Sequence, residues 1–374
     1  MNHILLSTAL AFLITYFAIP VIIEVAESKK LFDEPDERKV HKAVIPTLGG
    51  LGIFAGFILG TLMGVPTSIS NQLQYFIAAA MVIFFLGIKD DILVLSATKK
   101  FIGQLIAAGI IIKFGGIQIN NMQGFLNIYE IPRSASVFLT LFTIIVITNS
   151  FNLIDGVDGL AGSLGLLTSI VFGIYFFMIG EVMFAVMALT LAGSLVAFLI
   201  YNFSPAKIFM GDTGSLLLGL LNSIFVIKFI SVASNPSTSI PLESAPALGF
   251  AILIVPLFDT LRVFSLRIFN RRSPFSPDRN HIHHFLLDLG LSHRMISIIC
   301  IAANIVFIAL AYSLRSLGTT MVIGALATSA IIFVGLVYYS RPRTKMLNET
   351  RADEDSIIKS HKILTLAGET VEQE

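Results

Sequence analysis

Long apolar runs separated by short polar segments make up most of this chain. Many runs have about the 20 residues that a helix needs to cross the hydrocarbon core of a bilayer. Periodicity is uninformative for helices that face lipid, so the runs and the breaks between them carry the prediction. We therefore expect an all-α polytopic membrane protein with about eleven transmembrane helices. The predicted spans are residues 3–23, 48–65, 72–89, 101–114, 135–153, 160–179, 182–200, 213–232, 245–268, 294–313 and 319–339.

Five polar islands interrupt the apolar pattern. Charge at the edge of the hydrocarbon region is costly, so it usually marks an ion or substrate site. The islands carry acids, amides, a lysine and histidines, a combination that suits a metal-bound phosphate ligand. They are HKAVIPTLGG (41–50), the pair Asp90–Asp91, NSFNLIDGVDGLAG (149–162), YNFSPAKIFMGDTGS (201–215) and DRNHIHHF (278–285).

Composition narrows the class of protein. The chain has 374 residues, of which 55% are hydrophobic and 13% are charged, and this balance excludes an ordinary soluble domain. The net charge of +1 and the lack of a basic stripe with interleaved aromatic residues argue against nucleic-acid binding. The single cysteine, Cys300, excludes a disulfide framework and a cysteine-based zinc site. No basic segment precedes the first run, so we expect it to be retained as a span.

Lysine and arginine positions favour one orientation of the chain. With the N-terminus outside, the inner segments hold most of these residues, and the C-terminus is cytoplasmic. All five islands then face the cytoplasm. The outer segments hold only Lys113, Arg133, Lys228 and Arg315. Residues 115–132 alternate and are rich in Gly and Asn, which predicts a small periplasmic β-hairpin. We expect one integral membrane domain over residues 1–340 and a polar cytoplasmic tail over 341–374.

The acidic pair Asp90–Asp91 lies at the end of a predicted span. Adjacent carboxylates can bind a cation, or one can raise the pKa of the other so that it acts as a base. The alternative is a pair that only caps the next helix. Lys100 and Gln104 follow one helical turn apart on one face, where the lysine suits a phosphate or, alternatively, extends its ammonium to the membrane interface.

Two glycine-containing islands carry oxygen ligands. Asn149 and Asn152 are three residues apart, and so are Asp155 and Asp158, which is more polarity than a turn between helices needs. Such oxygen-only ligands suit Mg²⁺, with Mn²⁺ as the alternative.

The second of these islands, FMGDTGS, opens a new span with Asp212. It reads either as a helix N-cap or as an anion site. Upstream of that aspartate, Asn202 and Phe209 could hold a planar ring by hydrogen bonding and stacking.

The last island contains His281, His283 and His284. A histidine cluster alone suggests zinc, but the missing cysteines and the many acids favour hydrogen bonds to phosphate oxygens instead. In the preceding span, Pro256 should bend the helix, and Asp259 and Arg262 lie three residues apart on one face. A structural ion pair at the bend is the simplest interpretation of those two charges.

These motifs resemble the polyprenyl-phosphate N-acetylhexosamine-1-phosphate transferases, membrane enzymes that load a sugar phosphate onto a lipid carrier. The resemblance covers roughly residues 1–340. It rests on PTLGG with Lys42 before it, on DD followed by Lys100 and Gln104, and on NLIDGVDGL, FMGDTGS and HIHH, in this order. The segment PFSPDRNHIHH resembles the branch that uses UDP-N-acetylglucosamine, because the peptidoglycan branch usually has a third histidine where Ile282 stands.

The resemblance implies a role for each matching position. Mg²⁺ is expected on Asp212 and Asn152. The uridine pocket is expected to contain Lys42, Asp158, Asn202 and Phe209, and Lys100 and His281 are expected to contact phosphates. The implied catalytic set is Asp90, Asp91, Asp155, His283 and His284, with Asp90 or Asp91 as base toward the lipid phosphate. The bent ninth span is expected to border a lipid groove.

The expected substrates are a UDP-N-acetylhexosamine and undecaprenyl phosphate at the bacterial inner membrane. Two anions approach each other only with a cation between them, so the chemistry itself requires Mg²⁺ and basic side chains. Direct attack on the β-phosphorus is favoured, and a phospho-aspartyl intermediate is the alternative. Two further hypotheses are the phospho-MurNAc-pentapeptide transferase of peptidoglycan synthesis and an ion-coupled transporter, which would place acids on both sides of the membrane. Relatives are often dimers, so a homodimer is the assembly to test.

Overall fold

A computed structural model describes residues 2–29, 31–33, 45–66, 71–271 and 280–342, and helices make up about three quarters of them. The helices are α1 (Asn2–Lys29), α2 (Gly49–Gly64), α3 (Leu73–Leu93), α4 (Ala97–Lys113), α5 (Arg133–Ile154), α6 (Leu160–Met178), α7 (Val182–Asn202), α8 (Gly211–Ala233), α9 (Ala245–Ile252), α10 (Ile254–Phe269), α11 (Ile282–Asp288), α12 (His293–Leu314) and α13 (Thr319–Tyr339). A short 3-10 turn, Arg315–Leu317, joins α12 to α13.

Ten of the eleven predicted apolar runs form one helix each and the ninth forms two, because a helix satisfies every backbone polar group within the segment. Among the described residues, seven helices are long and apolar enough to cross a membrane, and eight if the bent pair α9–α10 is one span. The chain is therefore a multi-pass membrane protein with a helical architecture. The count of eleven crossings and the orientation stay predictions.

Helix α8 lies at the centre of the bundle. In its most apolar 18-residue window, 83% of residues are buried, against 22% in α1 at the periphery. Helices α2 and α3 approach its first turn at two glycines. A Cβ at Gly87 would lie 2.3 Å from the Cα of Thr213, and one at Gly50 would lie 2.2 Å from the amide nitrogen of Gly214. Small residues at such crossings let helix backbones touch inside a membrane.

The ninth predicted span is broken rather than gently bent. Helices α9 and α10 meet at 85°, and the break falls at Leu253, three residues before Pro256. Proline has no N–H for the carbonyl four residues earlier, that of Ile252. The buried Asn304 of α12 donates to this carbonyl at 3.0 Å, and its Oδ1 accepts from the amide of Val255 at 3.3 Å. One side chain thus satisfies both backbone groups that the break exposes.

Two short antiparallel strand pairs complete the fold. Strands β1 (Phe32–Asp33) and β2 (Ile45–Pro46) pair Phe32 with Pro46, and their connection lies outside the described residues. Strands β3 (Asn121–Phe125) and β4 (Ile128–Glu130) pair Asn121 with Glu130, within the segment predicted to form a hairpin. The placement of that hairpin outside the membrane stays a prediction.

Candidate active site

The ends of four helices meet at one place: the C-terminal ends of α3 and α5 and the N-terminal ends of α4 and α8. These ends carry the acidic pair, Asn152, Lys100 and Asp212. The carboxylates of Asp90, Asp91, Asp155 and Asp212, together with the ammonium of Lys100, are called the acidic cluster below. Direct contacts join several of these residues, which come from distant parts of the sequence.

Asp91 caps α8 from a different helix. Its Oδ1 accepts from the amide of Asp212 at 2.7 Å, and its Oδ2 accepts from the amide and the hydroxyl of Thr213 at 3.1 and 2.5 Å. The first amides of a helix have no intrahelical partner, and this carboxylate satisfies two of them. Capping was an alternative for the acidic pair, and it applies to Asp91. The same contacts fix where the Asp212 side chain begins.

Lys100 joins the other aspartate of the pair to α8. Its Nζ lies 2.6 Å from Oδ2 of Asp212 and also contacts Oδ2 of Asp90. The second oxygen of Asp90 accepts from the amide of Leu95 at 2.5 Å, which closes the turn between α3 and α4. About a quarter of the side chains of Lys100 and Asp212 remains exposed, so both can reach a ligand.

The amides of α5 divide into two sets. Asn152 donates through Nδ2 to Oδ1 of Asp212 at 2.9 Å and to Oγ of Ser215 at 3.0 Å. Asn149 is paired instead with Gln104, with contacts of 2.9 and 3.3 Å between their amide groups. Of the two asparagines predicted from the motif, Asn152 therefore contacts the acidic cluster and Asn149 supports the packing of α4 on α5.

Asp155 lies in the loop between α5 and α6. Burial, and after it the negative charges of Asp212, Asp91 and Asp158, together raise its pKa to about 8. Within the described part of the chain, its carboxylate accepts no hydrogen bond. A divalent cation bound here would stabilise the ionised form of Asp155, because it would offset the repulsion from the neighbouring carboxylates.

The donor set of this cluster fits Mg²⁺. The side chains offer carboxylate and amide oxygens, and Mg²⁺ usually takes one or two protein carboxylates while keeping water and phosphate oxygens. Among the described residues, no group of three or more His, Cys, Asp or Glu side chains is arranged to hold a metal ion by itself. The arrangement thus suits a cation shared with a substrate. Asp212 and Asn152, the predicted ligands, lie in contact with each other here.

The predicted uridine-pocket residues lie beside the acidic cluster. Asp158 accepts from the amide of Ala206 at 3.2 Å, and its Oδ1 is 3.2 Å from Nδ1 of His293. Asn202 is only 4% exposed, and it accepts from the amide of Gly159 at 2.9 Å and donates to the carbonyl of Ile208 at 2.8 Å. Asn202 therefore ties the Asp158 loop to the segment before Phe209. Its contact with a uracil ring stays a prediction.

Phe209 is held by the PTLGG island. Its amide donates to the carbonyl of Pro46 at 2.7 Å, and its carbonyl accepts from the amide of Gly49 at 2.9 Å. Two islands that are distant in sequence thus form one wall of the site. Lys42, predicted to lie in the same pocket, falls outside the described residues.

The three histidines lie at the start of α11 and face different groups. His281 donates through Nδ1 toward Oδ2 of Asp259 at 2.7 Å. His283 lies against the loop after α5, since a Cβ at Gly156 would be 2.6 Å from its Nε2. Burial and the neighbouring His284 hold the pKa of His283 well below its usual range. The ring centroids of His283 and His284 are 4.3 Å apart. The histidines therefore adjoin the acidic cluster through residues 155–158.

Three supporting residues were not among the predicted site residues. Asp259 binds His281, although its sequence signal suggested only an ion pair with Arg262, which is present at 2.9 Å. His293 reaches Asp158 from 135 positions away, which no local pattern indicates. Arg341, the first residue of the predicted tail, is 3% exposed, contacts Oδ2 of Asp288 at 3.2 Å and lies 4.0 Å from the ring of Phe285.

Comparison with known sequences adds independent evidence. The profile of glycosyl transferase family 4 matches residues 73–230, which span α3 to α8 and include the whole acidic cluster. A probable undecaprenyl-phosphate N-acetylglucosaminyl 1-phosphate transferase of Bacillus subtilis is 35% identical over 325 residues, covering 84% of this chain and 86% of the relative.

Two further relatives carry similar names. The decaprenyl-phosphate N-acetylglucosaminephosphotransferase of Mycobacterium leprae is 34% identical over 311 residues, which cover 76% of this chain and 77% of the relative. The undecaprenyl-phosphate alpha-N-acetylglucosaminyl 1-phosphate transferase of Escherichia coli K12 is 29% identical over 301 residues, which cover 79% of this chain and 80% of the relative.

Proposed function

Because the chain belongs to glycosyl transferase family 4, we propose that it transfers N-acetylglucosamine 1-phosphate from UDP-N-acetylglucosamine to undecaprenyl phosphate and releases UMP. The product is the first lipid-linked intermediate of a cell-surface polysaccharide. The observation that carries the proposal is the joining of Asp90, Asp91, Lys100 and Asp212 in one acidic cluster, next to a histidine helix. The names of the relatives support N-acetylglucosamine over the MurNAc-pentapeptide donor.

The reaction balances without an added proton. An oxygen of the lipid phosphate attacks the β-phosphorus of the donor, a new P–O bond forms, and the bond from that phosphorus to the bridging oxygen breaks. A phosphate monoester has its second pKa at about 6, so the lipid phosphate is already largely a dianion near pH 7. Both oxygens of Asp90 and of Asp91 are engaged by donors in the protein. This favours direct attack over a phospho-aspartyl intermediate.

Each residue of the site has its own proposed role, which follows from its position. Lys100 supplies a positive charge between the acids, where two anionic substrates must meet. Asp91 holds the first turn of α8, and Asn152 donates to Asp212 there, so the two proposed Mg²⁺ ligands are held next to each other. When bound there, Mg²⁺ supplies neutralisation of charge on the phosphates. His283, which lies against the loop after α5, and the neighbouring His284 are proposed to donate to phosphate oxygens.

The site is proposed to face the cytoplasm, where UDP-sugars are made, in the bacterial inner membrane. This orientation rests on the excess of Lys and Arg in the segments that lie on the same side of the membrane as the five polar islands.

A donor panel tests the proposal. Purified protein in detergent is given undecaprenyl phosphate, Mg²⁺ and, in turn, UDP-N-acetylglucosamine, UDP-N-acetylgalactosamine and UDP-MurNAc-pentapeptide, and UMP is measured. We expect UMP with UDP-N-acetylglucosamine, loss of turnover with EDTA, and recovery with Mg²⁺ or Mn²⁺. UMP formed only from the MurNAc donor, or from none, would contradict the proposal.

A further inference from the structure

A buried carboxylate in α10 connects the broken span to the histidine helix α11. Asp259 is 2% exposed, and three donors converge on it. Its Oδ1 accepts from Nη2 of Arg262 at 2.9 Å and from the backbone amide of Ile282 at 3.0 Å, and its Oδ2 accepts from Nδ1 of His281 at 2.7 Å. An ion pair needed only for neutrality would be complete with Arg262. The two contacts to α11 go beyond neutralisation.

Both α11 contacts fall at the start of that helix. The amide of Ile282 is the first amide of α11 and has no intrahelical partner, so the carboxylate acts as its cap from another helix. Arg262 adds a contact to the carbonyl of Asn280, just before the helix, and its guanidinium lies 5.2 Å from the ring of Phe285. The Asp259–Arg262 pair thus sets the position and the direction of the first turn.

The contact with His281 also selects one arrangement of the ring. A carboxylate oxygen only accepts, so Nδ1 of His281 must carry the proton of this hydrogen bond. Nε2 is then the remaining polar atom of the ring. The plane of His281 is nearly parallel to that of His283, at 10° with centroids 5.6 Å apart, and His283 is in turn 4.3 Å from His284. The orientation of the His281 ring therefore constrains the two rings that pack beside it.

We propose that Asp259 is a positioning residue for the transfer reaction: it holds His281 and the first turn of α11 so that the histidines meet the phosphates of the bound donor. The inference rests on the proposed function, since it concerns the same phosphates. Residues that orient the groups in contact with a ligand typically contribute about 10–100-fold to activity. We expect a loss of that size in kcat when the orientation is lost.

Asp259→Asn is the first variant. Arg262 and the amide of Ile282 both donate to Oδ1, so the amide oxygen of the asparagine should take that side and its NH₂ should face Nδ1 of His281. The donor–acceptor relation at the ring is thereby reversed while the shape is retained. We expect kcat for UMP release from UDP-N-acetylglucosamine to fall about 10–100-fold, with KM for undecaprenyl phosphate within about twofold of wild type.

Asp288→Asn is the matched control. Asp288 ends the same helix and contacts Arg341, so its substitution loosens α11 at the far end without touching His281. We expect it to lower the melting temperature while kcat stays within about threefold. If both variants lower kcat and melting temperature in parallel, Asp259 only attaches α11, and the proposal is wrong.

A second variant keeps the test decisive if Asp259→Asn does not fold. His281→Gln leaves the contacts of Asp259 with Arg262 and Ile282 in place and removes only the ring. We expect the same loss of kcat, and the double variant should lose no more than about twofold further, because both changes remove one coupled interaction. A fully active His281→Gln protein would overturn the inference. Failure of the wild-type protein to release UMP from this donor would instead contradict the proposed function.

Discussion

Buried carboxylates are neutralised to different degrees in the acidic cluster and at the start of α11, the helix that carries the histidines. In the cluster, Lys100 contacts two of the four carboxyl groups, those of Asp90 and Asp212, and Asp155 accepts no hydrogen bond within the described residues. At the histidine helix, one carboxylate has Arg262, His281 and a backbone amide. The first region keeps an excess of negative charge that a cation can neutralise. The second is neutralised internally, so it can serve as a fixed surface for the ligand.

The largest expected effect comes from removing a charge of the acidic cluster. Asp212→Asn keeps the shape of the side chain but removes the carboxylate that lies between Lys100 and Asn152. We expect UMP release to fall by about 10²–10³-fold, the range seen when a single electrostatic group of an active site is removed. The protein should remain folded, since the cap from Asp91 is made to backbone groups. Retained turnover would show that the excess charge is not used.

Two glycine-to-alanine variants, at Gly87 and at Gly109, test whether the acidic cluster depends on close contact between helices. Gly87→Ala places a Cβ 2.3 Å from the Cα of Thr213, which must push α3 away from the first turn of α8. We expect a loss of about 1–3 kcal/mol in stability from overpacking, together with loss of activity.

Gly109→Ala is the matched control in α4, because a Cβ there meets nothing within 4 Å. Alanine is the better helix former, so this variant should be neutral or slightly more stable. Unfolding can be followed with a thiol-reactive dye, because the only cysteine, Cys300, is 1% exposed. Equal melting temperatures for the two variants would contradict the packing argument.

The helix break gives a prediction for the other region. Asn304→Leu leaves the carbonyl of Ile252 and the amide of Val255 without their buried partner. We expect a loss of about 1–3 kcal/mol in stability, since each buried polar group without a partner is costly. Because α10 carries Asp259, activity should fall as well, whereas the response to Mg²⁺ should not change. Dye accessibility of the cysteine and UMP release measure the two effects.

The smallest expected effect concerns pH. With its pKa raised to about 8, Asp155 is protonated in the folded, metal-free protein at pH 6, whereas an unfolded aspartate ionises near pH 4. Folding therefore takes up a proton, and the stability of the metal-free protein falls as pH rises from about 4 to about 8. Mg²⁺ offsets the repulsion that grows over this range.

The measurement is the rise in melting temperature on adding Mg²⁺. It should be larger at pH 8 than at pH 6, by roughly 2–4 °C for about 1 kcal/mol. Asp155→Asn should make the rise at pH 8 more like the rise at pH 6, and Asp259→Asn should behave like wild type. A rise independent of pH in the wild-type protein would argue against an unneutralised carboxyl group in the cluster.

The positions of the helices follow from the chain alone, because the length of an apolar run is set by bilayer thickness. The gathering of DD, Lys100, NLID and FMGD was also expected, because intramembrane polar groups of complementary charge converge on a ligand. The individual contacts were not accessible in this way. Asp91 binds a backbone 121 residues away, and Asn304 serves a break 49 residues earlier. Such pairings depend on how helices pack, and no local pattern records them.

The same limit applies to the roles within a motif. Asp90 and Asp91 are neighbours with equal chemistry, yet one binds Lys100 and the other caps α8, because successive residues of a helix point in different directions. Asn202 was expected to contact a ring, and the structure adds that both ends of its amide bind backbone groups of the protein. Sequence identifies which residues gather, and packing decides which atom each one faces.

The contacts of Gly50 and Gly87 with the first turn of α8 affect how thermal motion at the lipid-facing surface reaches the acidic cluster. Main chain rests directly on main chain at both crossings, with no flexible side chain in between. At these two crossings, rotamer changes among the side chains that touch hydrocarbon have no side chain through which to move α2 or α3 relative to α8. The acidic cluster is thus held by rigid backbone contacts, although the outer surface of the same helices faces disordered hydrocarbon.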